Sequence, residues 1–541
     1  MVAKDKIYNV FYLFEDSSNQ VPEGSFLCTP PMRGRTYYPE GFEISYSAAH
    51  KMVVELKSAY YNSGYGPGHR VALLLENRPE FHLHWLALNG LGISVVPINP
   101  DYREDEVIYL LDHSESLLII SIPERILDLR LAIEKCKLPV QIVEFNELEG
   151  QLRDAAVARS SEKPGIDSEA ALLYTSGTTG RPKGCILTNR YFLNAGKWYL
   201  EAGGYMTMAY GQERLLNPLP LYHANAMAIG SMAMISSGGC IVMVDRFHPK
   251  SWWSDVVASK ATIIHYLGIM PPLLLNQQPG PNDNSHNIKF GAGAGIDPKH
   301  HQLFEERFGF PLIEGWGMTE VAMPAWGSRE PRQIDTRAFG RPLSGCEVRI
   351  VDNEDMPVPS DTPGELTLRM TGNNPRHRLF SGYLKDDTAT EIAWRGGWFH
   401  TGDTVTQSAD GVLTFVDRTK NIIRRSGENI AAAEIEAALQ SHDYVAQAAV
   451  IAVPDELRQE EVMACIIPME SISPDLTTAI ALQDYCLRDM AYYKAPAYFL
   501  FVDTLPVTNT QKVSKVRIFP PEVDPRNVDG CLDLRERKRR N

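Results

Sequence analysis

Short apolar runs that alternate with longer amphipathic segments constrain the fold of this chain more than any other feature. The run at 71–75 is followed by a helical pattern over 78–91 and then by a second run at 95–98. Further runs lie at 117–120, 241–244, 263–264 and 290–291. Parallel strands that are buried on both faces are nearly continuous in apolar residues, and helices connect them. We therefore predict an α/β fold of parallel sheets flanked by helices over about the first 340 residues.

The pattern of predicted strands and helices changes after about residue 340. Alternating strands predicted at 347–351 and 365–369 indicate a β-rich subdomain. Because 541 residues exceed what one core accommodates, we predict a large domain over 1–418, whose β-rich part spans about 341–418. A small, mobile α+β domain follows over 419–541.

The small domain is predicted from its own pattern. Asn429 is expected to cap a helix over about 431–440, with Ile435 and Leu439 on its apolar face. Strands are then predicted at 448–453 and 464–467.

Charge and cysteine usage exclude several classes of protein. A net charge of −14 argues against nucleic-acid partners, because phosphate backbones require clustered cations. The basic tail at 535–540 is interpreted as a solvated terminus, with a contact to an anionic surface as the alternative. The eight cysteines never form C-x-x-C, and the N-terminus lacks a signal peptide. We therefore expect reduced thiols in a cytoplasmic protein.

One uncharged stretch, at 226–244, is almost long enough to span a membrane. However, Ser236, Ser237, Gly238 and Gly239 interrupt it. We predict a core helix, a turn and a buried strand, and no membrane span.

A loop rich in hydroxyl groups and glycine follows the apolar run at 170–173. Backbone N–H groups, hydroxyls and a lysine together can offset the charge of a polyphosphate. The Walker pattern is excluded because Lys183 stands between Pro182 and Gly184. The candidate phosphate-binding residues are Thr175, Ser176, Gly177, Thr178, Thr179 and Lys183.

This loop resembles the signature of the adenylate-forming superfamily, which includes acyl-CoA synthetases, and the resemblance covers roughly 45–517 in the family's motif order. Two further stretches, 75–81 and 96–99, are similar to the branch of fatty-acid and crotonobetaine/carnitine CoA ligases. The resemblance implies ATP, Mg²⁺ and coenzyme A as cofactors. The partners it implies are small molecules, and it leaves a homodimer open.

The segment from Glu314 to Glu320 offers an aromatic face between glycines and then a carboxylate. Trp316 can stack on adenine, and Glu320 is a candidate Mg²⁺ ligand because a carboxylate beside a triphosphate requires an intervening cation. The segment resembles the family's G-Y-G-x-T-E motif, with tryptophan in place of tyrosine. The nucleotide-binding residues predicted here are Glu314, Trp316, Gly317 and Thr319.

Three further motifs complete the predicted nucleotide site. Glycine-rich residues 291–295 resemble the family's Gly-Gly-Ala stretch, so Gly293 and Ala294 are expected to line the adenine and acyl pocket. Asp403 ends a stretch similar to W-x-x-T-G-D, which implies that it anchors the ribose. Arg418 and Lys420 match the hinge motif, and the resemblance puts Arg418 on the ribose or phosphate and the pivot at Lys420.

Residues 505–515 resemble the family's L-P-x-T-x-T-G-K loop. The resemblance makes Lys512 the catalytic lysine, suited to stabilise charge as a carboxylate attacks the α-phosphate. Gln511 stands where glycine is usual, and Lys515 is the rival by charge.

His223 ends a segment similar to P-x-x-H, which implies that it shapes the approach of the carboxylate and thiol; a core histidine is the alternative. By the same resemblance the acyl pocket is lined by 221–228, 266–270, Gly293 and 321–323. These residues are mostly apolar and small, which favours a short-to-medium-chain or aryl acid.

The resemblance implies an activity with two half-reactions. Adenylation uses Lys183, Lys512 and Glu320; a swing about Lys420 then brings the loop of Arg425, Gly427 and Glu428 to the site for transfer to coenzyme A. Two alternatives stay open: loading of an acyl carrier protein, and a non-catalytic nucleotide-binding regulator.

Overall fold

A computed structural model of the protein describes residues 8–175, 181–296, 298–352, 354–418, 422–506, 513, 515, 518–520 and 522–538. The chain divides into two compact units. The larger comprises Met1–Pro100, Leu110–Leu173 and Gly184–Asp417, and the smaller comprises Asp101–Tyr109, Tyr174–Lys183 and Arg418–Asn541.

The largest sheet has thirteen strands within the described residues, and its two halves differ in direction. In one half of the sheet, β1, β10, β9, β11, β12 and β13 lie side by side and run parallel. In the other half, the pairs β13–β14, β14–β15, β15–β20, β19–β17 and β17–β16 are antiparallel. This confirms the predicted change from α/β to β-rich structure. In sheet order the strands are β16 (Cys346–Val351), β17 (Gly364–Met370), β19 (Phe399–Gln407), β20 (Leu413–Arg418), β15 (Ala338–Pro342), β14 (Ala322–Trp326), β13 (Leu312–Met318), β12 (Phe290–Ala294), β11 (Ile263–Leu267), β9 (Arg214–Asn217), β10 (Cys240–Met243), β1 (Ser25–Thr29) and β2 (Phe42–Ser45).

A second, seven-stranded sheet of the described chain has a wholly buried centre. Its order is β18 (Gly382–Tyr383), β8 (Lys183–Thr188), β7 (Glu169–Thr175), β4 (Ser94–Pro97), β3 (Arg70–Leu74), β5 (Leu118–Ser121) and β6 (Gln141–Glu144). Val71, Leu73, Val95 and Ile119 are fully buried, as expected for parallel strands covered on both faces.

Helices cover these sheets, and their ends follow local signals. Pro79 lies in the first turn of α3, Thr188 accepts from the backbone N–H of Tyr191 at the start of α7, and Gly238 ends α8 in a left-handed conformation. The α-helices are α1 (Val10–Gln20), α2 (Tyr46–Asn62), α3 (Pro79–Asn89), α4 (Glu104–Ser114), α5 (Ile126–Ile133), α6 (Leu148–Gln151), α7 (Asn189–Glu201), α8 (Ser231–Ser237), α9 (Trp252–Ser259), α10 (Met270–Leu275), α11 (Pro298–Phe308), α12 (Asp387–Ala393), α13 (Ala432–Gln440) and α14 (Leu476–Asp489).

The stretch at 226–244 forms the predicted helix, turn and buried strand. Its first part is a π-helix, Asn225–Gly230, which continues into α8 before β10. No helix among the described residues is long and apolar enough to cross a membrane.

Over its described residues, the smaller unit has its own six-stranded sheet and core. The strands are β22 (Glu428–Ala431), β21 (Ile422–Arg425), β24 (Gln459–Pro468), β25 (Tyr498–Phe501) and β26 (Leu532–Asp533), with β23 (Val445–Asp455) paired to β24. Ile435 and Leu439 of α13 are fully buried, as predicted. The predicted cap at Asn429 is wrong, because Asn429 lies inside β22.

The basic tail is exposed at Arg535, Glu536 and Arg537, as predicted, and buried at Lys538. Arg535 pairs with Asp533 and Asp455, and Arg537 pairs with Asp484. The Lys538 ammonium is buried against Glu461. The prediction of a solvated terminus fails at Lys538, because its partner Glu461 is distant in the sequence.

Candidate active site

The predicted site of the larger unit lies where parallel strands end. Strands β9, β11, β12 and β13 run side by side in the same direction, so their carboxyl ends share one edge of the sheet. Ligands of α/β sheets bind at such edges. Glu314 and Trp316 lie toward the end of β13, and Glu320 follows it.

The two glycines beside Trp316 are required by the hairpin of β13 and β14. A Cβ on Gly317 would lie 2.1 Å from the Ala322 carbonyl oxygen, and one on Gly315 would lie 2.5 Å from the Trp326 ring. Both distances are impossible contacts, so any side chain would push the strands apart. The glycines therefore let β13 and β14 pack closely on either side of Trp316.

Trp316 and Asp403 meet although 87 residues separate them. The indole Nε1 donates to Asp403 Oδ2 at 2.9 Å, and both side chains are buried. The bend of β19 that presents Asp403 requires Gly402, whose φ is +71°. The Asp403 backbone N–H donates to Thr401 Oγ1 at 3.1 Å. The predicted adenine-stacking residue thus holds the predicted ribose anchor.

Glu320 is buried at the end of the 314–320 segment. Tyr383 Oη donates to Glu320 Oε1 at 2.8 Å. Burial and the neighbouring carboxylate raise the pKa of Tyr383 well above its ordinary value, so the phenol stays a donor. Tyr383 pairs in the sheet with Cys185 of β8. Mg²⁺ typically takes one or two protein carboxylates and otherwise waters and phosphates, and the donor chemistry of Glu320 fits that requirement.

Glu314 braces the glycine-rich segment that follows β12. Its carboxylate accepts from Tyr266 Oη and from the backbone N–H of Gly295 at 2.8 Å. Tyr266, Gly293 and Glu314 are direct neighbours across β11, β12 and β13. Burial raises the pKa of the Glu314 carboxyl group. Gly293 accepts no side chain, because a Cβ would lie 2.2 Å from the Tyr266 carbonyl oxygen.

The remaining predicted residues are placed as follows. His223 is partly exposed, and its carbonyl oxygen accepts from the Met227 backbone N–H at 3.1 Å. The Thr319 carbonyl accepts from Tyr191 Oη at 2.8 Å. Ala294 ends β12, and Arg418 ends β20. Thr175 ends β7 and Lys183 begins β8, whereas Ser176, Gly177, Thr178, Thr179, Lys420 and Lys512 lie outside the described residues.

The predicted coenzyme A loop belongs to the smaller unit. Arg425 ends β21 and pairs in register with Glu428 of β22, and Gly427 turns the chain with φ +90°. The Arg425 guanidinium forms an ion pair with Glu461, and both side chains are almost completely buried. Arg425 therefore braces this loop, while Gly427 and Glu428 are its partly exposed members.

Sequence reasoning missed the residues that support the site. Glu365 accepts from the Gly402 backbone N–H and from His400 Nδ1, each at 2.9 Å. Ligand atoms of Asp355, Glu365 and His400 lie within 4.8 Å of one another. Arg395 pairs with both carboxylates, so we interpret the cluster as an ion-pair network that anchors the Asp403 bend. Contacts across a sheet leave no local signal in sequence.

A cavity of about 480 Å³ in the larger unit borders the site through Glu314. Its wall also includes Trp326, His301 and Arg332. The residues predicted for the acyl pocket are all described, and none of them lines this cavity.

Two protein-family profiles match this chain. The profile of the AMP-binding enzyme family matches residues 25–384, and that of the AMP-binding enzyme C-terminal domain matches 434–512. The chain belongs to the AMP-binding enzyme family.

Similar proteins include CoA ligases that match nearly the whole chain. Sulfoacetate–CoA ligase of Cupriavidus necator is 31% identical over 92% of this chain and 95% of its own. Crotonobetaine/carnitine–CoA ligase of Proteus mirabilis is 27% identical over 87% of this chain and 92% of its own. The fold is that of o-succinylbenzoate CoA synthetase from Bacillus subtilis, with a TM-score of 0.80, 23% identity, and coverage of 93% and 97%. The predicted fold and the predicted class, an ATP-dependent acyl-CoA ligase, are confirmed.

Proposed function

We propose that the enzyme activates a small carboxylic acid as an acyl-adenylate and then transfers the acyl group to coenzyme A. The observation that carries this proposal is the contact of Trp316 with Asp403 at the carboxyl edge of the parallel strands. An aromatic face beside a buried carboxylate suits a nucleoside, because the ring can stack on the base and the carboxylate can accept from ribose hydroxyls.

In the first half-reaction a carboxylate oxygen of the acid attacks the α-phosphorus of ATP. The new acyl–oxygen–phosphorus linkage forms as the bond to the β-phosphate oxygen breaks, and pyrophosphate leaves. Lys183, at the start of β8, and Lys512 supply positive charge to this transition state. When bound, Mg²⁺ supplies charge neutralisation to the phosphates, and Glu320 is the residue that would hold it.

In the second half-reaction the sulfur of coenzyme A attacks the acyl carbon, a thioester forms, and AMP leaves. We assign this step to the loop of Arg425, Gly427 and Glu428. The Arg425 side chain of this loop is held by a buried ion pair with Glu461. Rotation about Lys420 exchanges Lys512 for this loop between the two steps. Eight free cysteines support a reducing, cytoplasmic setting.

Lys512→Ala tests whether Lys512 acts in adenylation and not in thioester formation. The variant is expected to lower acid-dependent ATP–pyrophosphate exchange by about three orders of magnitude, because one charge opposite the transition state is removed. It should leave thioester formation from a supplied acyl-adenylate within about twofold. Lys515→Ala is the matched control, since Lys515 pairs with Glu436 at 2.7 Å and its loss should spare exchange.

The outcomes separate the alternatives. Equal loss of both half-reactions would contradict the proposed rotation that replaces Lys512 with the Arg425 loop at the site. Pyrophosphate exchange with no thioester formed from coenzyme A, but with acyl transfer to a phosphopantetheine carrier protein, would identify a carrier-loading ligase. Binding of ATP without exchange for any acid would identify a regulator.

The similar ligases act on sulfoacetate and on crotonobetaine or carnitine, which are short acids. They support a short acid as the substrate, within the predicted set of short-chain, medium-chain and aryl acids. Thermal-shift screening of acids in the presence of ATP measures this choice directly, since a ligand that binds only the folded state raises the melting temperature.

A further inference from the structure

A buried chain of hydrogen bonds holds the side chain of Asn225, the first residue of the π-helix. The Leu219 backbone N–H donates to Asn217 Oδ1 at 3.0 Å, so the Asn217 amide nitrogen faces the opposite way. That nitrogen lies 3.2 Å from Asn225 Oδ1 and donates to it. His265 Nδ1 lies 2.8 Å from the same oxygen.

His265 Nδ1 also lies 3.1 Å from Asn217 Nδ2, and both nitrogens converge on Asn225 Oδ1. Because Asn225 Oδ1 only accepts, His265 Nδ1 must carry the hydrogen, and His265 Nε2 then accepts from Tyr199 Oη at 3.1 Å. Burial lowers the pKa of His265 to about 3, so the ring is neutral and holds this single tautomer. The two contacts to its oxygen therefore fix the orientation of the Asn225 amide group.

The amide nitrogen of Asn225 points away from this network. Among the described residues, no hydrogen bond is made by Asn225 Nδ2, and the residue is partly exposed. Two N–H donors are thus available to a ligand. Most nearby positions of the π-helix are apolar and buried, including Ala226, Met227 and Ala228.

The strand register places this amide beside the candidate site. Asn217 ends β9, and His265 lies next to Tyr266 in the adjacent strand β11. Tyr266 in turn neighbours Gly293, which neighbours Glu314. The oriented amide and the Glu314–Trp316 segment therefore share the carboxyl edge of the sheet.

We propose that Asn225 determines acid specificity by donating to an oxygen on the acyl part of the substrate, so that the preferred class is a short carboxylic acid bearing a carbonyl, hydroxyl or sulfonate oxygen. This inference rests on the proposed function. An alkanoate of the same length would leave the two donors without a partner after displacing water, and a site built to hydrogen-bond a group discriminates strongly against an analogue lacking it.

The test compares matched acids in the coupled pyrophosphate-release assay. Valerate is paired with levulinate, and propionate with sulfoacetate. The wild-type enzyme is expected to favour an oxygenated acid by about tenfold or more in kcat/KM, the equivalent of one hydrogen bond. Asn225→Leu should abolish that preference while leaving the KM for ATP within about twofold.

Asn194→Leu is the matched control. Its amide is buried in α7 and makes no hydrogen bond with any described residue, so the same substitution there should leave the acid preference unchanged. An unchanged ratio of oxygenated acid to alkanoate in Asn225→Leu, or a wild-type preference for both alkanoates, would overturn the inference alone. No pyrophosphate release with any acid would overturn the proposed function as well.

Discussion

Trp316 presents an indole N–H where the family's usual tyrosine has a phenol, and the structure uses that N–H. Its Nε1 donates to Asp403 Oδ2, and Asp403 is only 3% exposed. A hydrogen bond to a buried carboxylate contributes more than one between neutral groups. The motif comparison alone indicates a stacking face and gives no sign of this second role.

Trp316→Phe keeps an aromatic face but removes the donor. We expect the dissociation constant for ATP, measured by calorimetry, to rise by about ten- to a hundredfold, the equivalent of about 1.5–3 kcal/mol for a hydrogen bond to a charged group. Trp326→Phe is the control, because none of the described residues accepts from its indole N–H. Equal affinity in wild type and Trp316→Phe would show that Asp403 needs no indole.

At the scale of elements, the bend of β19 depends on a residue of the neighbouring strand. Glu365 of β17 holds the Gly402 backbone N–H, His400 and Arg395, and so fixes the turn that precedes Asp403. The strands themselves are predictable, because alternation and apolar runs are local signals. The partner of each strand is set by contacts between distant parts of the chain, which is why Glu365 and Tyr383 escape prediction.

Glu365→Gln is expected to weaken this bend. The amide nitrogen cannot accept, so either the Gly402 backbone N–H or the side chains of His400 and Arg395 lose an acceptor, at a cost of about 1–3 kcal/mol in the free energy of unfolding. The KM for ATP should rise several-fold as Asp403 loses its fixed position. Glu347→Gln serves as the control, since its pair with Arg369 is half-exposed and contributes about 0–1 kcal/mol. Identical urea curves for the two variants would refute a special role for Glu365.

At the scale of the whole molecule, the C-terminal tail stabilises the smaller unit. Lys538 and Arg425 converge on one carboxylate, Glu461, and the side chains of these residues are 1%, 2% and 1% exposed. Composition indicated a solvated basic tail, because local sequence cannot show which acids lie opposite. The Lys538 ammonium also donates to the Tyr493 carbonyl oxygen at 3.2 Å. The tail thereby reaches the residue that braces the proposed coenzyme A loop.

This network predicts how stability depends on pH. Burial and the charge of Arg425 outweigh Glu461 and lower the pKa of Lys538 to about 7, against about 10.4 in an unfolded chain. Between these values the unfolded chain binds more protons than the folded one, so the free energy of unfolding rises with pH by up to about 1.4 kcal/mol per unit. Below about pH 7 both states are protonated and this contribution is constant.

Lys538→Met should remove that slope, because no proton is then released on folding. Urea denaturation of the wild type and the variant between about pH 6 and about pH 10 measures the difference, which is expected to be largest above about pH 7. Arg537→Met is the control, because its guanidinium pairs with Asp484 at the surface and not with the buried Glu461. Parallel pH profiles for wild type and Lys538→Met would mean that the buried lysine keeps its charge and that the tail contributes by packing alone.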